Sequence, residues 1–498
     1  MGPDDLKQDS STGRAGRLAS DFFDALQKTG EYLREPVARL IEMALSEDEQ
    51  TAKAASRAIF ASLVERLADS FDPAAVPAYN RLLAQMIERC RRTERGRAID
   101  SALEGFGLRD EDDLIARAER LRRVERLALP EDRARLVGRV IVLSRVTIGA
   151  DVAVTSVVIE RVKREFPAAE IVLVGLGKAA ELFGGDPRLQ FREVVYRRAG
   201  TALERILSWL DVLAMMNGLT KEMRRDEFLI IDPDSRLTQL GLLPVSPPDV
   251  YVFFPSREFG AGTNSSLAEL ACSWLDELFG HEEKILPGLS LRHDDLQVGE
   301  RVARQLKRTR ARPVVTINFG VGGNDLKRAG DHFERALVGG LILEGAAVIL
   351  DKGAGEEEAS RADAVIREAL AENPAARAVE ADEESIKGLI RSNDLSSADL
   401  LVWRGRIGIL AALIARSDLY IGYDSAGQHI AAALGVPCID VFAGFSSPRM
   451  LDRWRPTGVA ASRVITVERP CQEVEVEKAL AETLGRARAF LRDENNHT

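Results

Sequence analysis

Tyr420-Ile421-Gly422-Tyr423-Asp424-Ser425-Ala426-Gly427-Gln428-His429-Ile430-Ala431-Ala432-Ala433-Leu434-Gly435-Val436-Pro437 passes from an apolar run, through a polar turn, to small residues closed by glycine and proline. The spacing predicts a strand ending at Tyr420 or Ile421, a turn at Asp424-Ser425, and a helix that stops at Gly435. Asp424 or Ser425 would cap that helix by accepting from its first N–H groups. The positive helix end would face whatever lies above the strand, a ready place for an anion. The small side chains of Ser425, Ala426 and Gly427 would let a phosphate approach the backbone. An ordinary strand–turn–helix joint reads the same way.

Outward from this segment, alternating strand and helix patterns continue in both directions. Downstream of Pro313 come Val314-Val315-Thr316-Ile317-Asn318-Phe319, the glycine loop Gly320-Val321-Gly322-Gly323-Asn324, a helical stretch over 333–344, and Ala346-Ala347-Val348-Ile349-Leu350. Gly353-Ala354-Gly355 then opens an acidic helix, and an apolar strand over 438–442 follows the decisive segment. Upstream, Leu136-Val137-Gly138-Arg139-Val140-Ile141-Val142-Leu143 precedes a helix over 151–165, which Phe166-Pro167 ends, and the strand Glu170-Ile171-Val172-Leu173-Val174-Gly175. Phe228-Leu229-Ile230-Ile231 leads into Asp232-Pro233-Asp234-Ser235-Arg236, and Tyr251-Val252-Phe253-Phe254 is a further strand. Strand–helix–strand at this spacing implies parallel sheets. The expected fold is α/β: two Rossmann-like parallel-sheet domains facing a cleft, over 136–300 and 301–498, joined where Pro287-Gly288 breaks the pattern. Residues 18–135 read as an all-α module and residues 1–17 as a disordered tail. In the module, Ser46-Glu47-Asp48-Glu49 reads as a capping box, and Phe71-Asp72-Pro73 breaks a helix.

Composition narrows the classes. A chain of 498 residues with 45% hydrophobic and 29% charged residues is an ordinary globular mixture for two or three domains. A net charge of -10 argues against general nucleic-acid binding. The run Arg89, Arg91, Arg92, Arg95 and Arg97 reads as a solvated helix face, with a patch for anionic headgroups as the alternative. The N-terminus is polar, and no apolar run approaches the ~18 residues of a spanning helix. Cys90, Cys272, Cys438 and Cys471 lie far apart and read as reduced thiols.

With Phe442-Ala443-Gly444 and Ser446-Ser447-Pro448 downstream, the decisive segment resembles the C-terminal signature of the heptosyltransferase-type glycosyltransferases (glycosyltransferase family 9). That signature runs strand, Asp-Ser-Gly-Pro-Met-His, a small-residue helix, Gly-x-Pro, an apolar strand, then a turn ending in Ser/Thr-x-Pro. Asp424, Ser425 and His429 match, while Ala426, Gly427 and Gln428 stand where the family has Gly-Pro-Met. The resemblance covers roughly residues 136–490 and leaves the N-terminal helices outside. It implies the GT-B architecture and an inverting transfer of a heptose-like sugar. The donor would be a nucleotide-diphosphate sugar, an ADP-sugar favoured, and the acceptor a carbohydrate or lipopolysaccharide-like glycan. No metal or other cofactor is implied. The location would be cytoplasmic, with peripheral attachment to the inner membrane an open alternative. The helical module would bind a protein partner or self-associate.

The resemblance also assigns residues, each with a plainer alternative. Ile148-Gly149-Ala150-Asp151-Val152 resembles the family's Gly-Asp motif, so Asp151 would be the general base, a role worth ~10²–10⁴-fold in rate; a helix N-cap is the plainer role. Lys327-Arg328 matches a Lys-Arg-Trp motif, with Ala329 for the Trp. Lys327 and Arg328 would offset charge on the departing diphosphate, helped by N–H groups of Gly320 and Gly322; the alternative is a solvated pair. Glu357, within Glu356-Glu357-Glu358, would bind the donor's ribose, unless the run only suits a helix's first turn. His429 would point at a phosphate or into the core, and Asp424 would bond the sugar or cap the helix. Asp232, Asp234, Arg236 and Asn264 are candidates for the acceptor, though Asp232 also suits a turn before Pro233. The C-terminal helix over 474–491 is expected to pack across both sheet domains. Two other functions stay open: a GT-B-like protein that binds nucleotide sugars without turnover and acts through its helical module, or another GT-B enzyme such as a nucleotide-sugar epimerase.

Overall fold

Two parallel sheets carry the architecture, preceded by a helical region; the computed structural model describes residues 3–123, 135–308, 312–353, 355–469 and 471–493. The first sheet contains β1 (Arg139–Leu143), β2 (Glu170–Gly175), β3 (Leu189–Glu193), β4 (Phe228–Asp232) and β5 (Tyr251–Phe253), in the order β3-β2-β1-β4-β5. The second contains β6 (Val314–Asn318), β7 (Ala347–Asp351), β8 (Ala378–Ala381), β9 (Leu400–Trp403), β10 (Leu419–Tyr423), β11 (Cys438–Ala443) and β12 (Ser462–Val467), ordered β12-β11-β10-β6-β7-β9-β8. The expected pair of parallel-sheet domains with a helical N-terminal region is what the chain forms.

The uninterrupted apolar run of β1 has a direct cause. In a parallel sheet covered on both faces, every position is buried. Val140 and Val142 join the core shared with the Ser156–Glu165 and Leu267–Phe279 helices, whereas Ile141 and Leu143 join the core on the opposite face. The helical region supplies much of that second core, with Leu82, Leu83, Met86 and Ile87 of the Val76–Arg91 helix. The module is therefore one wall of the first lobe. Ser56 of the module even accepts from the Ala202 N–H at 2.8 Å.

Several local expectations change. A helix spans Pro3–Thr29, starting within the stretch over 1–17 read as a disordered tail and running on into the module. Its polar sequence hides a stripe, Ala15, Ala19 and Phe22, that is fully buried at helical spacing. Asp48, not Ser46, caps the helix Glu49–Arg57, accepting from the Thr51 N–H. Residues 124–134, within the expected module, lie outside the described residues. The C-terminal helix Glu473–Asp493 buries Val476, Leu480 and Ala487 in the second lobe's own core rather than across both sheets.

In doubly wound sheets, ligands sit where neighbouring strands run off in opposite directions from a central one. The first sheet has that switch between β1 and β4, and the second between β6 and β10. Both switch points lie at carboxyl ends of strands. The lobes meet there: buried Arg453 donates to the carbonyls of Thr263 (3.0 Å), Ser265 (2.5 Å) and Gly260 (2.9 Å).

Candidate active site

At the second switch point, Ser425 holds the N-cap position of the helix Ala426–Ala433, but its side chain makes no cap bond. Asp424 does not cap either: its carboxylate accepts from Lys327 Nζ at 2.6 Å and from Gln428 Nε2 at 3.0 Å. The expected capping role is thus corrected for both residues, and no side-chain cap occupies the helix's positive end. The Ser425 and Tyr420 hydroxyls are buried beside each other, with no partner from any other residue. Gly427 is small for an internal reason: a Cβ there would sit 2.0 Å from the Tyr420 hydroxyl oxygen.

Lys327 reaches this helix from the turn Asp325–Lys327 after β6. Burial works against its charge, but Asp424 outweighs it and holds the ammonium above its ordinary pKa. Arg328, expected beside it at the diphosphate, turns the other way. It grips Glu334 at 2.8 and 2.9 Å and also pairs with Asp331. Gly320 N–H donates to Asn318 Oδ1 (2.9 Å) and Gly322 N–H to Glu358 Oε1 (3.3 Å), so both loop amides are held inside the lobe. The acidic run also resolves differently from the expectation. Glu357 is 79% exposed and pairs with Arg361, while Glu358 turns into the glycine loop. Beside it, buried Asp351 has its carboxyl pushed up to about 7, by burial first, with Glu358 adding to the rise. His429 is buried, and that burial brings its imidazole down to about 4, so it is neutral near pH 7. Its ring meets Trp454 edge-on at 5.8 Å.

The first switch point is built differently. Asp151 lies one residue past the short turn Ile148–Ala150, inside a widened helical turn Asp151–Thr155 rather than at an N-cap. It is 1% exposed and faces its own lobe. Its carboxylate accepts from Ser144 Oγ (2.6 Å), Arg145 N–H (2.7 Å) and Thr155 Oγ1 (2.8 Å). Desolvation raises its pKa against these bonds. Asp232 is buried too. It accepts from Ser235 N–H, Thr238 Oγ1 and Tyr251 Oη, each at 2.6 Å, and burial pushes its carboxyl up to about 6. Asp234 sits at φ 72°, an unusual conformation for a non-glycine residue. One oxygen takes Arg257 at 2.5 Å and the other is buried without a partner. Asp151, Asp232 and Asp234 therefore brace loops and orient arginines; none of them is open to the cleft. Asn264 is exposed on the loop that Arg453 fastens. Arg236 points to the helical module and donates to Tyr79 Oη at 3.0 Å.

The structure brings these parts together at one place. Gly149 lies against the helix Ala426–Ala433; a Cβ there would stand 3.3 Å from the His429 ring and 3.4 Å from Ala426 Cα. A methyl at 149 would press on the His429 ring, which would have to give by a few tenths of an ångström. The module joins in. Phe71 meets Trp454 edge-on at 6.1 Å, and its carbonyl accepts from Arg449 at 2.9 Å. Arg257 lies over the Tyr79 ring at 4.9 Å. Sequence reasoning missed Gly149's contact role, Glu358, Phe71, Tyr79 and Trp454. Only Phe71 had a signal, the break at Phe71-Asp72-Pro73. Among the described residues, metal-ligand types gather once, at Glu165, His281 and Glu283. There Arg161 and Arg164 already pair with the two glutamates.

Comparison with known proteins follows this geometry. Residues 295–483 match the family model described as glycosyltransferase family 9 (heptosyltransferase). That match falls on the second lobe and covers less than half of the chain. No curated protein matches the chain. Among solved structures, the glycosyl transferase family 9 from Veillonella parvula is 15% identical, with a TM-score of 0.51 over 70% of this chain and 97% of its own. The ADP-heptose lps heptosyltransferase II of E. coli is 12% identical, covering 72% of this chain and 99% of its own at a TM-score of 0.47. The E. coli heptosyltransferase WaaC with ADP is 14% identical, covering 70% and 99% at 0.46. At these identities the V. parvula structure shows a shared fold. The resemblance read from the sequence is borne out, and the chain is a glycosyltransferase enzyme of heptosyltransferase-like kind.

Proposed function

We propose that this enzyme moves a heptose-like sugar from an ADP-sugar to a carbohydrate or lipopolysaccharide-like acceptor, inverting the anomeric centre in one displacement. One observation carries the reading: the uncapped N-terminus of the helix Ala426–Ala433 stands beside Lys327 at a topological switch point. The donor's diphosphate would take the free N–H groups and draw Lys327 away from Asp424. Charge building on the leaving diphosphate then meets a fixed cation and a helix dipole, an arrangement that acts most strongly in the transition state. Glu358, which already accepts from the Val321 and Gly322 N–H groups, holds the glycine loop beside the place the donor's ribose would take. Asp151 holds the Ser144–Arg145 turn and so the Gly149 loop against the donor helix. Because Lys327 and the helix end would carry the leaving group, the reaction would proceed without a metal, and a chelator would leave the rate unchanged.

No helix among the described residues is long and apolar enough to cross a membrane. The proposed location remains the cytoplasm, with a membrane-borne glycan met at the surface. A second reading, donor binding without turnover, is favoured by the three donors that occupy Asp151.

A thermal-shift screen against ADP, UDP and GDP tests the proposal. A ligand that binds only the folded state raises Tm according to its concentration over Kd. ADP should give the largest shift, and Lys327→Ala should abolish most of it. No shift with any nucleoside diphosphate would overturn the reading. A shift with ADP but no ADP release from ADP-heptose would select the binding-only alternative.

A further inference from the structure

Glycosyl transfer to a hydroxyl needs a group that accepts the hydroxyl's proton, and the three aspartates expected to serve on the first lobe's crest are buried. Asp151, Asp232 and Asp234 are each held by donors of that lobe. Asp69 stands in a different situation. It ends the module's helix Glu65–Asp69 and is half-buried. Among the described residues, its carboxylate has no hydrogen-bond or ion-pair partner.

Its surroundings come from both lobes. The nearby cations acting on Asp69 are Lys327 of the second lobe and Arg236 and Arg257 of the first. Lys327 and Arg236 each feel Asp69 in return. Glu65, one turn earlier, also faces this group but is engaged by Arg198 at 3.9 Å. Tyr79 completes the wall, bonded to Arg236 and stacked under Arg257.

The position is anchored. Phe71, two residues on, adopts φ 48°. Left-handed backbone is costly for an aromatic residue and persists only where the surroundings enforce it. Here Trp454 packs the ring and Arg449 takes the carbonyl, and Trp454 in turn packs His429 on the donor helix. The module's helix end is thus latched to the lobe that carries the proposed diphosphate site.

We propose that Asp69, supplied by the helical module, is the catalytic residue that takes the acceptor's proton; this rests on the glycosyl-transfer reading above. As the acceptor oxygen forms its bond to the anomeric carbon, its O–H proton passes to the Asp69 carboxylate. The bond from the anomeric carbon to the diphosphate oxygen breaks, and the electron pair leaves with the diphosphate onto Lys327 and the helix end. The module would then complete the active site rather than decorate it. Burial pushes the Asp69 carboxyl up against the lowering effect of its cations, which suits a base working near neutrality.

The test measures ADP release from ADP-heptose with water as the acceptor, using the full chain, alongside ADP affinity by calorimetry. Asp69→Asn should lower turnover ~10²-fold or more, leave the ADP Kd within about twofold and remove the acid limb of the pH–rate profile. Formate should restore part of the turnover of Asp69→Ala, a rescue that a purely structural role would not show. Asp72→Asn, which alters a neighbouring cap, should leave turnover unchanged. Wild-type turnover in Asp69→Asn, or loss of ADP binding together with turnover and no formate rescue in Asp69→Ala, would overturn the inference. A wild-type protein that fails to bind ADP at all would instead remove the glycosyl-transfer reading beneath it.

Discussion

The crests of the two sheets use their polar groups in opposite ways. On the first, Asp151, Asp232 and Asp234 are buried and braced by neighbours within their own lobe. On the second, the helix Ala426–Ala433 begins without a side-chain cap, the Ser425 hydroxyl has only the Tyr420 hydroxyl beside it, and Lys327 is held by a single carboxylate that a phosphate could replace. A largely satisfied crest, with Asp234 Oδ1 and Arg257 Nε the exceptions, fixes loop geometry, and one with a free helix end is ready for a ligand. The difference supports the proposed placement of the donor on the second lobe.

The sharpest way to break this comparison is to remove the exchangeable cation. Lys327→Ala should slow ADP release from ADP-heptose by ~10²–10³-fold. It should also cost about 3 kcal/mol of stability, because Asp424 would be left buried without its partner. Denaturant unfolding should show Lys327→Met/Asp424→Asn regaining that stability without regaining the rate.

The second lobe is saturated below its crest, and pH exposes this. The Asp351 carboxyl is raised from 3.8 to about 7. A raised acid favours the folded state in its protonated form. Its contribution is therefore complete below about pH 4 and is lost as pH rises through about 7. Asp351→Asn should remove that loss, and its advantage over wild type in urea midpoint should grow by about 2–4 kcal/mol from pH 4 to pH 8.

Gly427→Ala sharpens the point further. Its methyl would meet the Tyr420 hydroxyl, at a cost of about 1–3 kcal/mol. Tyr420→Phe should relieve only part of that cost in the double variant, since ring atoms Cζ and Cε2 would still lie 2.6 and 2.9 Å from the methyl, a partial non-additivity visible in Tm. On the saturated crest, Asp151→Asn should cost about 1–2 kcal/mol through a weakened bracing network, with ADP affinity unchanged. A loss of ADP binding there would mean that the two crests are not separable. The smallest effect concerns His429. With its imidazole brought down to about 4 by burial, it carries no charge across pH 6–8, so wild type and His429→Gln should show the same pH dependence of ADP affinity over that range in calorimetry.

Much of the fold was legible because parallel strands buried on both faces leave unbroken apolar runs, as in β1 and β6. The strands that escaped were chiefly edges. β3 (Leu-Gln-Phe-Arg-Glu) and β8 (Ala-Val-Glu-Ala) have one neighbour each and mix polar with apolar residues. The site was legible in place but less so in detail. Asp424, Ser425 and Lys327 come together because a switch point forces the loops after β6 and β10 side by side. Which of Glu356, Glu357 and Glu358 turns inward depends on the helix's rotation over the glycine loop, which periodicity does not specify. The direction of Arg328 is set by buried Glu334, a residue that the local pattern does not distinguish. The module's contribution was invisible because Phe71 and Trp454 are far apart in the chain and meet only when three bodies pack.

The most direct measurement is a crystal structure of the protein soaked with ADP. The β-phosphate should lie within hydrogen-bond reach of the first-turn N–H groups of the helix Ala426–Ala433, with Lys327 Nζ turned from Asp424 onto a phosphate oxygen. A diphosphate bound elsewhere, with the Lys327–Asp424 pair intact, would contradict the assignment of the donor to this crest.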